Sequence, residues 1–233
     1  TSLSPNGTNN TVFGARDPSG SQVFGPPHDS GITGDMYEII IIDRLLTTTE
    51  RTNIYNYLNK KWAVNVITNL GSDVVLWHDA KNIDGAYNSS LTNGDTVTTW
   101  YNLSNSGYTT SNGTTNAPTY NGTGLFFGGK NAYNSTVNLN NYSTMNIFVV
   151  WKPNALHSNL RWLWGQDNGG YDRTLIMYAS SGTTHYVGRG DGGVAYATYT
   201  FTANATVIVN CEYNTSGQTG GFYINNFLNT SFT

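Results

Sequence analysis

Short runs of aromatic and β-branched residues, separated by clusters of glycine, asparagine, aspartate and proline, recur along most of this chain. Such residues favour extended backbone because they pack well on a pleated surface, and the residues between them suit tight turns. This spacing is typical of antiparallel sandwiches and barrels. We predict an all-β fold with strands at Val12–Phe13, Tyr37–Ile42, Val74–Trp77, Thr96–Tyr101, Gly124–Phe127, Asn146–Trp151, Thr174–Tyr178, His185–Val187, Tyr196–Thr202, Thr206–Glu212 and Gly221–Ile224.

One segment departs from this pattern and predicts a helix of about 15 residues. Thr47 and Glu50 match a capping box, in which the threonine hydroxyl accepts the glutamate amide and the carboxylate reaches back to the threonine amide. Ile54, Leu58 and Trp62 then recur at intervals of four residues, which places them on one helix face. We therefore expect one short amphipathic helix packed on a sheet.

The composition places this 233-residue chain of 25.4 kDa outside several classes of protein. Charged residues make up 11%, the formal net charge is −3, and Lys and Arg form no run, so no nucleic-acid partner is expected. No apolar stretch approaches the ~18 residues of a membrane-spanning helix, so no membrane insertion is expected. The single cysteine, Cys211, is expected to be an inert core residue.

The polar residues point to a location outside cells. The chain has 31 Asn, 32 Thr and 18 Ser, an uncharged polar surface typical of extracellular and virion-surface proteins. It also has eleven Asn-x-Ser/Thr sequons, where about 7 are expected by chance. We predict N-glycosylation, in a host that performs it, at Asn6, Asn9, Asn88, Asn102, Asn112, Asn121, Asn134, Asn141, Asn204, Asn214 and Asn229.

The acidic residues argue against catalysis. Glycoside hydrolysis needs two carboxylates that flank one bond, but none of the three glutamates, Glu38, Glu50 and Glu212, has another acid two or four residues away. Glu38 and Asp43 are five residues apart and so lie on opposite faces of a strand. The sequence has no Gly-x-Ser-x-Gly elbow, no ligand-like histidine pair and no glycine-rich phosphate loop. We predict that the chain is not an enzyme.

Acidic turn residues could hold calcium. Hard cations prefer several oxygen ligands on a turn, and Asp167, Asn168, Asp172 and Asp191 offer them, with Asp167, Asp172 and Asp191 as candidate metal ligands. Turn chemistry is the alternative explanation, because Asn and Asp tolerate left-handed backbone. Calcium is the one cofactor that the sequence leaves open.

A sugar site is the second possibility on the same stretch. An aromatic face with nearby amides and carboxylates suits a sugar ring, and the candidates are Trp164, Asp167, Asn168 and Tyr171. Trp162 and Trp164 share a strand face, and such pairs also fill sandwich cores. Both interpretations of the tryptophan pair stay open.

Two stretches resemble laminin G-like modules of the concanavalin A-like lectin/glucanase superfamily. The first stretch runs from Gly34 to Leu46 and continues into the helix ending at Trp62, a pattern that closes a domain in that family. The second resembles a domain opening and consists of Val75–Ala80, Trp100–Ser104, Ala117–Tyr120 and Leu125–Tyr133. The resemblance implies a two-sheet antiparallel jelly-roll sandwich, a fold that hosts lectins, adhesins, spacers and hydrolases.

The closing stretch precedes the opening stretch, so the chain has the order of a circularly permuted module. We divide it into residues 1–62 as the C-terminal-type half, 63–72 as a connection and 73–233 as the N-terminal-type half. The halves could close into one permuted domain, complete a neighbouring copy, or form one period of a tandem array.

Two functions are expected from the resemblance and the composition. The first is a non-enzymatic structural repeat or subunit of an extracellular appendage or virion surface, whose partners are copies of itself. The alternative is a glycan-binding adhesin module, with or without calcium, whose partners are cell-surface glycans.

Overall fold

The structure, a computed structural model, describes residues 11–13, 33–60, 68–112, 114–155, 161–166, 174–179, 184–188, 195–214 and 219–232. The one α-helix of these residues, α1, spans Thr48–Lys60, and short 3-10 turns form at Thr68–Asp73, Thr114–Asn116 and Leu139–Asn141. The strands are β1 (Thr11–Phe13), β2 (Thr33–Ile42), β3 (Val74–Asp79), β4 (Thr110–Ser111), β5 (Thr119–Tyr120), β6 (Leu125–Gly128), β7 (Tyr133–Ser135), β8 (Thr144–Pro153), β9 (Arg161–Gln166), β10 (Thr174–Ala179), β11 (Thr184–Gly188), β12 (Ala195–Thr198), β13 (Val207–Asn214), β14 (Thr219–Ile224) and β15 (Phe227–Phe232).

The strands form two antiparallel sheets. The seven-stranded sheet has the order β12-β11-β10-β9-β1-β7-β4, and the eight-stranded sheet has the order β15-β14-β13-β8-β2-β6-β5 with β3 also paired to β2. One continuous apolar core lies between them and includes residues of both sheets, such as Ile147 of β8 and Trp164 of β9. The predicted all-β sandwich with one short helix is therefore confirmed.

Large rings and the lone cysteine fill this core. Trp100, Trp151, Trp164 and Tyr133 are all fully buried, and rings of this size each bury ~150–250 Å². Cys211 lies among them, and burial raises the pKa of its thiol. The prediction that this cysteine is a core residue is confirmed.

Helix α1 packs on the outer face of the eight-stranded sheet. Its apolar residues Ile54 and Leu58 form a second cluster with sheet residues such as Ile40. The predicted capping box is present, because the Glu50 amide donates to Thr47 Oγ1 at 3.2 Å and the Thr47 amide donates to Glu50 Oε2 at 2.8 Å. The third predicted anchor, Trp62, lies outside the described residues.

The N-terminal part of the chain supplies a central strand to each sheet. Strand β1 lies between β7 and β9, and β2 pairs with β3, β6 and β8. All of these partners lie C-terminal to residue 73, so β1 and β2 complete the sandwich within this chain.

The strand predicted at Thr96–Tyr101 is wrong. Only isolated bridges form there, from Thr96 to Thr119 and from Thr99 to Ser111. The apolar residues Val97 and Trp100 of this stretch are buried, but its backbone amides donate to three separate segments. A ladder needs one continuous partner strand, and this stretch has none.

Among the described residues, no helix combines the length and apolarity that crossing a bilayer requires.

Candidate functional site

The candidate site lies on the outer face of the eight-stranded sheet, where β2 and β3 run together. Ile40 of β2 belongs to the cluster beneath α1, and strand residues two apart share a face, so Glu38 also faces outward. On β3, Trp77 lies directly opposite Ile40, and Asp79 lies directly opposite Glu38. The pairing therefore places two carboxylates and an indole ring side by side at one end of the sheet.

A cavity of about 590 Å³ opens at this place. Its volume falls in the range of ~300–1,000 Å³ typical of small-molecule sites. Most of its walls come from β3 and the segment that follows, and one comes from β5. The cavity is lined by Trp77, Asp79, Lys81, Asn82, Tyr87, Asn88, Leu103 and Tyr120.

Tyr87 is the most exposed aromatic side chain of the cavity, with 83% of its surface accessible. Its backbone is left-handed, with φ +56°, and that of Asn88 follows with φ +61°. A bulky residue rarely adopts this conformation, and such strain persists only where the surroundings enforce it. The chain thus fixes the backbone that carries an exposed aromatic ring at a local energetic cost.

Asp84 enforces the backbone of residues 80–90, which we name the Tyr87 loop. Its Oδ1 accepts the amides of Ala86 and Asn88, both at 2.8 Å, and its Oδ2 accepts the amide and hydroxyl of Ser90 at 3.1 and 2.7 Å. The partial desolvation of Asp84 opposes ionisation, but these hydrogen bonds outweigh it and lower the pKa of Asp84 to about 2. The carboxylate is therefore ionised at neutral pH.

Two asparagines complete the loop. Asn82 Oδ1 accepts the Tyr87 amide at 2.8 Å. Asn88 Oδ1 accepts the Ile83 amide at 2.6 Å, and its Nδ2 donates to the Ala80 carbonyl at 2.7 Å. Because both asparagines also line the cavity, the network that fixes the loop is part of the cavity wall.

Gly85 seats the loop on the ring of Tyr101. A Cβ at Gly85 would lie 3.1 Å from that ring, and the φ of +77° also favours glycine. The Tyr101 amide in turn donates to the Ile83 carbonyl at 2.8 Å. The loop is therefore held by its contacts with Tyr101 as well as by its own hydrogen bonds.

Glu38 is held behind the wall of the cavity. It is only 3% exposed, and the Trp77 indole donates to its Oε1 at 2.9 Å. The Tyr57 hydroxyl of α1 also bonds to Glu38, and the pKa of Tyr57 is raised by burial and by the carboxylates of Glu38 and Asp79. Asp79, by contrast, lines the cavity and accepts the Lys81 amide at 2.9 Å.

This arrangement suits a flat polyhydroxylated ligand. Trp77, Tyr87 and Tyr120 line the cavity with aromatic rings, whose faces suit stacking against a ligand. Asp79 contributes carboxylate oxygens, which accept hydrogen bonds from hydroxyl groups.

Of the residues predicted from the sequence as sugar or metal ligands, Trp164 alone lies in the described part of the chain, and it does not line this cavity. Trp164 is fully buried in the core between the sheets, so it offers no surface to stack on, in agreement with the core interpretation. Among the described residues, no group of three or more His, Cys, Asp or Glu side chains could hold a metal ion. The other predicted ligands lie outside the described residues, namely Asp167, Asn168, Tyr171, Asp172 and Asp191.

The sequon asparagines differ in what their amide nitrogens do. Asn102 Nδ2 donates to Ser106 Oγ and the Tyr108 carbonyl, and Asn112 Nδ2 donates to two carbonyls. A glycan on either nitrogen would replace one of these bonds. Asn6 and Asn9 lie outside the described residues, and the exposed sequon asparagines are Asn141, Asn204 and Asn229.

Sequence reasoning missed the carboxylate pair. A pair of acids on one strand can be recognised by its spacing in the sequence, whereas Glu38 and Asp79 meet across two strands. The Tyr87 loop carries a local signal, because Asp and Asn side chains that bond nearby amides are common in turns. That signal does not reveal which aromatic residue the loop presents.

Comparisons with known proteins found no counterpart for this chain. No family model matches it, no curated protein matches it, and no solved structure matches it.

Proposed function

We propose that this protein is a non-enzymatic glycan-binding module and that the cavity binds a sugar ring. The observation that carries the proposal is Tyr87, an exposed aromatic side chain whose left-handed backbone is held by Asp84 and Asn82. A loop whose backbone is preorganised loses little conformational entropy on binding. Trp77 and the carboxylate of Asp79 beside it supply a second surface and hydrogen-bond acceptors.

The carboxylate pair supports binding rather than hydrolysis. A glycosidase needs both of its carboxyl groups at the scissile bond. Asp79 lines the cavity, but Glu38 is buried beneath Trp77 and Tyr57. A substrate in the cavity would meet one carboxylate.

The proposed setting is extracellular, on a cell-surface appendage or a virion. The low charge and the sequons support this location. The resemblance to laminin G-like modules, with its permuted order, belongs to the proposal as well. So does a calcium site at Asp167, Asp172 and Asp191.

The test is a glycan array probed with the protein and two variants. Tyr87→Ala removes the ring but leaves the same backbone requirement, and Phe227→Ala removes an equally exposed ring from β15. We expect Tyr87→Ala to weaken the signals about tenfold or more, equivalent to ~1.4 kcal/mol, and Phe227→Ala to change little. Equal signals from both variants, or no signal from the parent protein, would contradict the proposal.

A second candidate function is a structural subunit of a fibre, favoured by the central positions of β1 and β2. A segment that completes both sheets of its own chain could equally complete those of another copy. Light scattering on a size-exclusion column tests this idea. Masses at integer multiples of 25.4 kDa support exchange between copies, and a single 25.4-kDa particle at all concentrations contradicts it.

A further inference from the structure

We infer that the cavity selects uncharged, hydroxyl-rich sugar rings and rejects sugars that carry a carboxylate or a sulfate. This inference rests on the proposed function, because it concerns the ligand of the same cavity. Two carboxylates on adjacent strands carry it: Glu38 and Asp79 are directly opposite each other and face the same side of the sheet.

Both carboxylates act on the cavity, although only one lines it. Asp79 is part of the wall. Glu38 is one side chain behind the wall, because the indole that donates to it belongs to Trp77, which also lines the cavity. The pair therefore sets a negative potential that an anionic ligand would meet at close range.

The other charged groups near the cavity do not cancel this potential. Asp84 adds a third carboxylate through the Tyr87 loop. Lys81 is the one basic residue of the lining, so three carboxylates stand against one ammonium group. Like charges brought together at an interface suppress the wrong partner, whereas sugar hydroxyls donate to carboxylate oxygens.

The test uses matched pairs of sugars that differ in one group. We would titrate methyl glucoside against methyl glucuronide, methyl galactoside against methyl galacturonide, and N-acetylglucosamine against its 6-sulfate, by ligand-observed NMR. For any pair that binds, we expect the neutral member to bind about tenfold more tightly at ~10 mM salt. The difference should fall below about threefold at ~1 M salt, where the Debye length is ~3 Å.

Two variants test whether the charge of Asp79 causes the preference for neutral sugars. Asp79→Asn keeps an oxygen to accept the Lys81 amide and removes one charge, so it should narrow the preference. Lys81→Ala should leave the preference unchanged or widen it. The melting temperature of each variant serves as the control for folding.

The possible outcomes separate this inference from the proposed function. Equal or tighter binding of an anionic member, abolished by Tyr87→Ala, would overturn the inference and leave the glycan-binding proposal intact. A preference that salt and Asp79→Asn do not change would show that shape selects the ligand, which also overturns the inference. If no pair binds and the glycan array is empty, both proposals fail.

Discussion

A single carboxylate, that of Asp84, holds the Tyr87 loop much as a capping residue holds a helix. It satisfies three backbone amides and one hydroxyl, groups that an open loop would give to water. It therefore links an acidic side chain to the position of an aromatic ring on which the proposed function depends.

The loop should accordingly respond to acid. Asp84 has a pKa of about 2 in the folded chain and ~3.9 when unfolded. Because the folded pKa is depressed, its stabilisation is complete above ~pH 4 and is lost as the pH falls through about 2. We expect the amide hydrogens of Ala86 and Asn88 to stay protected from solvent exchange down to ~pH 4 and to lose that protection toward ~pH 2.

The control for this prediction is Asp84→Asn, which should weaken protection at neutral pH and remove the acid response of the loop. The amide of Ile40 in the sheet should be insensitive to the variant. Loss of protection above ~pH 5, or the same acid response in Asp84→Asn, would count against the role of this carboxylate.

Among the elements, those whose signal lies within a few neighbouring residues could be predicted from the sequence. The capping box needs only Thr47 and Glu50, and the run of β-branched and aromatic residues in β8 needs only the residues of that strand. The strand predicted at Thr96–Tyr101 does not form, because its backbone amides bond to Ile83, Thr110 and Pro118, which belong to separate segments. The residues of a short stretch do not indicate whether its backbone hydrogen-bond partners form one continuous strand.

The cap of α1 provides a prediction at this scale. Thr47→Ala removes the hydroxyl that accepts the Glu50 amide and should lower the free energy of unfolding by about 1 kcal/mol. Thr48→Ala alters the first helical residue without touching the cap, so it should change stability by less than ~0.5 kcal/mol. Urea denaturation measures both, and equal effects would show that the capping box contributes nothing specific.

At the scale of the whole molecule, the candidate site depends on strand register. Glu38 and Asp79 are 41 residues apart in the chain, yet β2 and β3 place them opposite each other. The cavity likewise joins Tyr120 to residues of the Tyr87 loop. Sequence composition singled out Trp164 and its neighbours because they combine aromatic and acidic residues, but burial in the core removes Trp164 from the surface.

The account can be tested most directly by mapping where a glycan binds. A glycan that is positive on the array would be titrated into ¹⁵N-labelled protein, and amide and indole shifts would be followed by NMR. We predict shifts at the Trp77 indole, the amides of residues 79–90 and Tyr120. Shifts confined to the segments that contain Asp167, Asn168, Tyr171, Asp172 and Asp191, with the Trp77 indole signal unmoved, would contradict the assignment of the cavity as the sugar site.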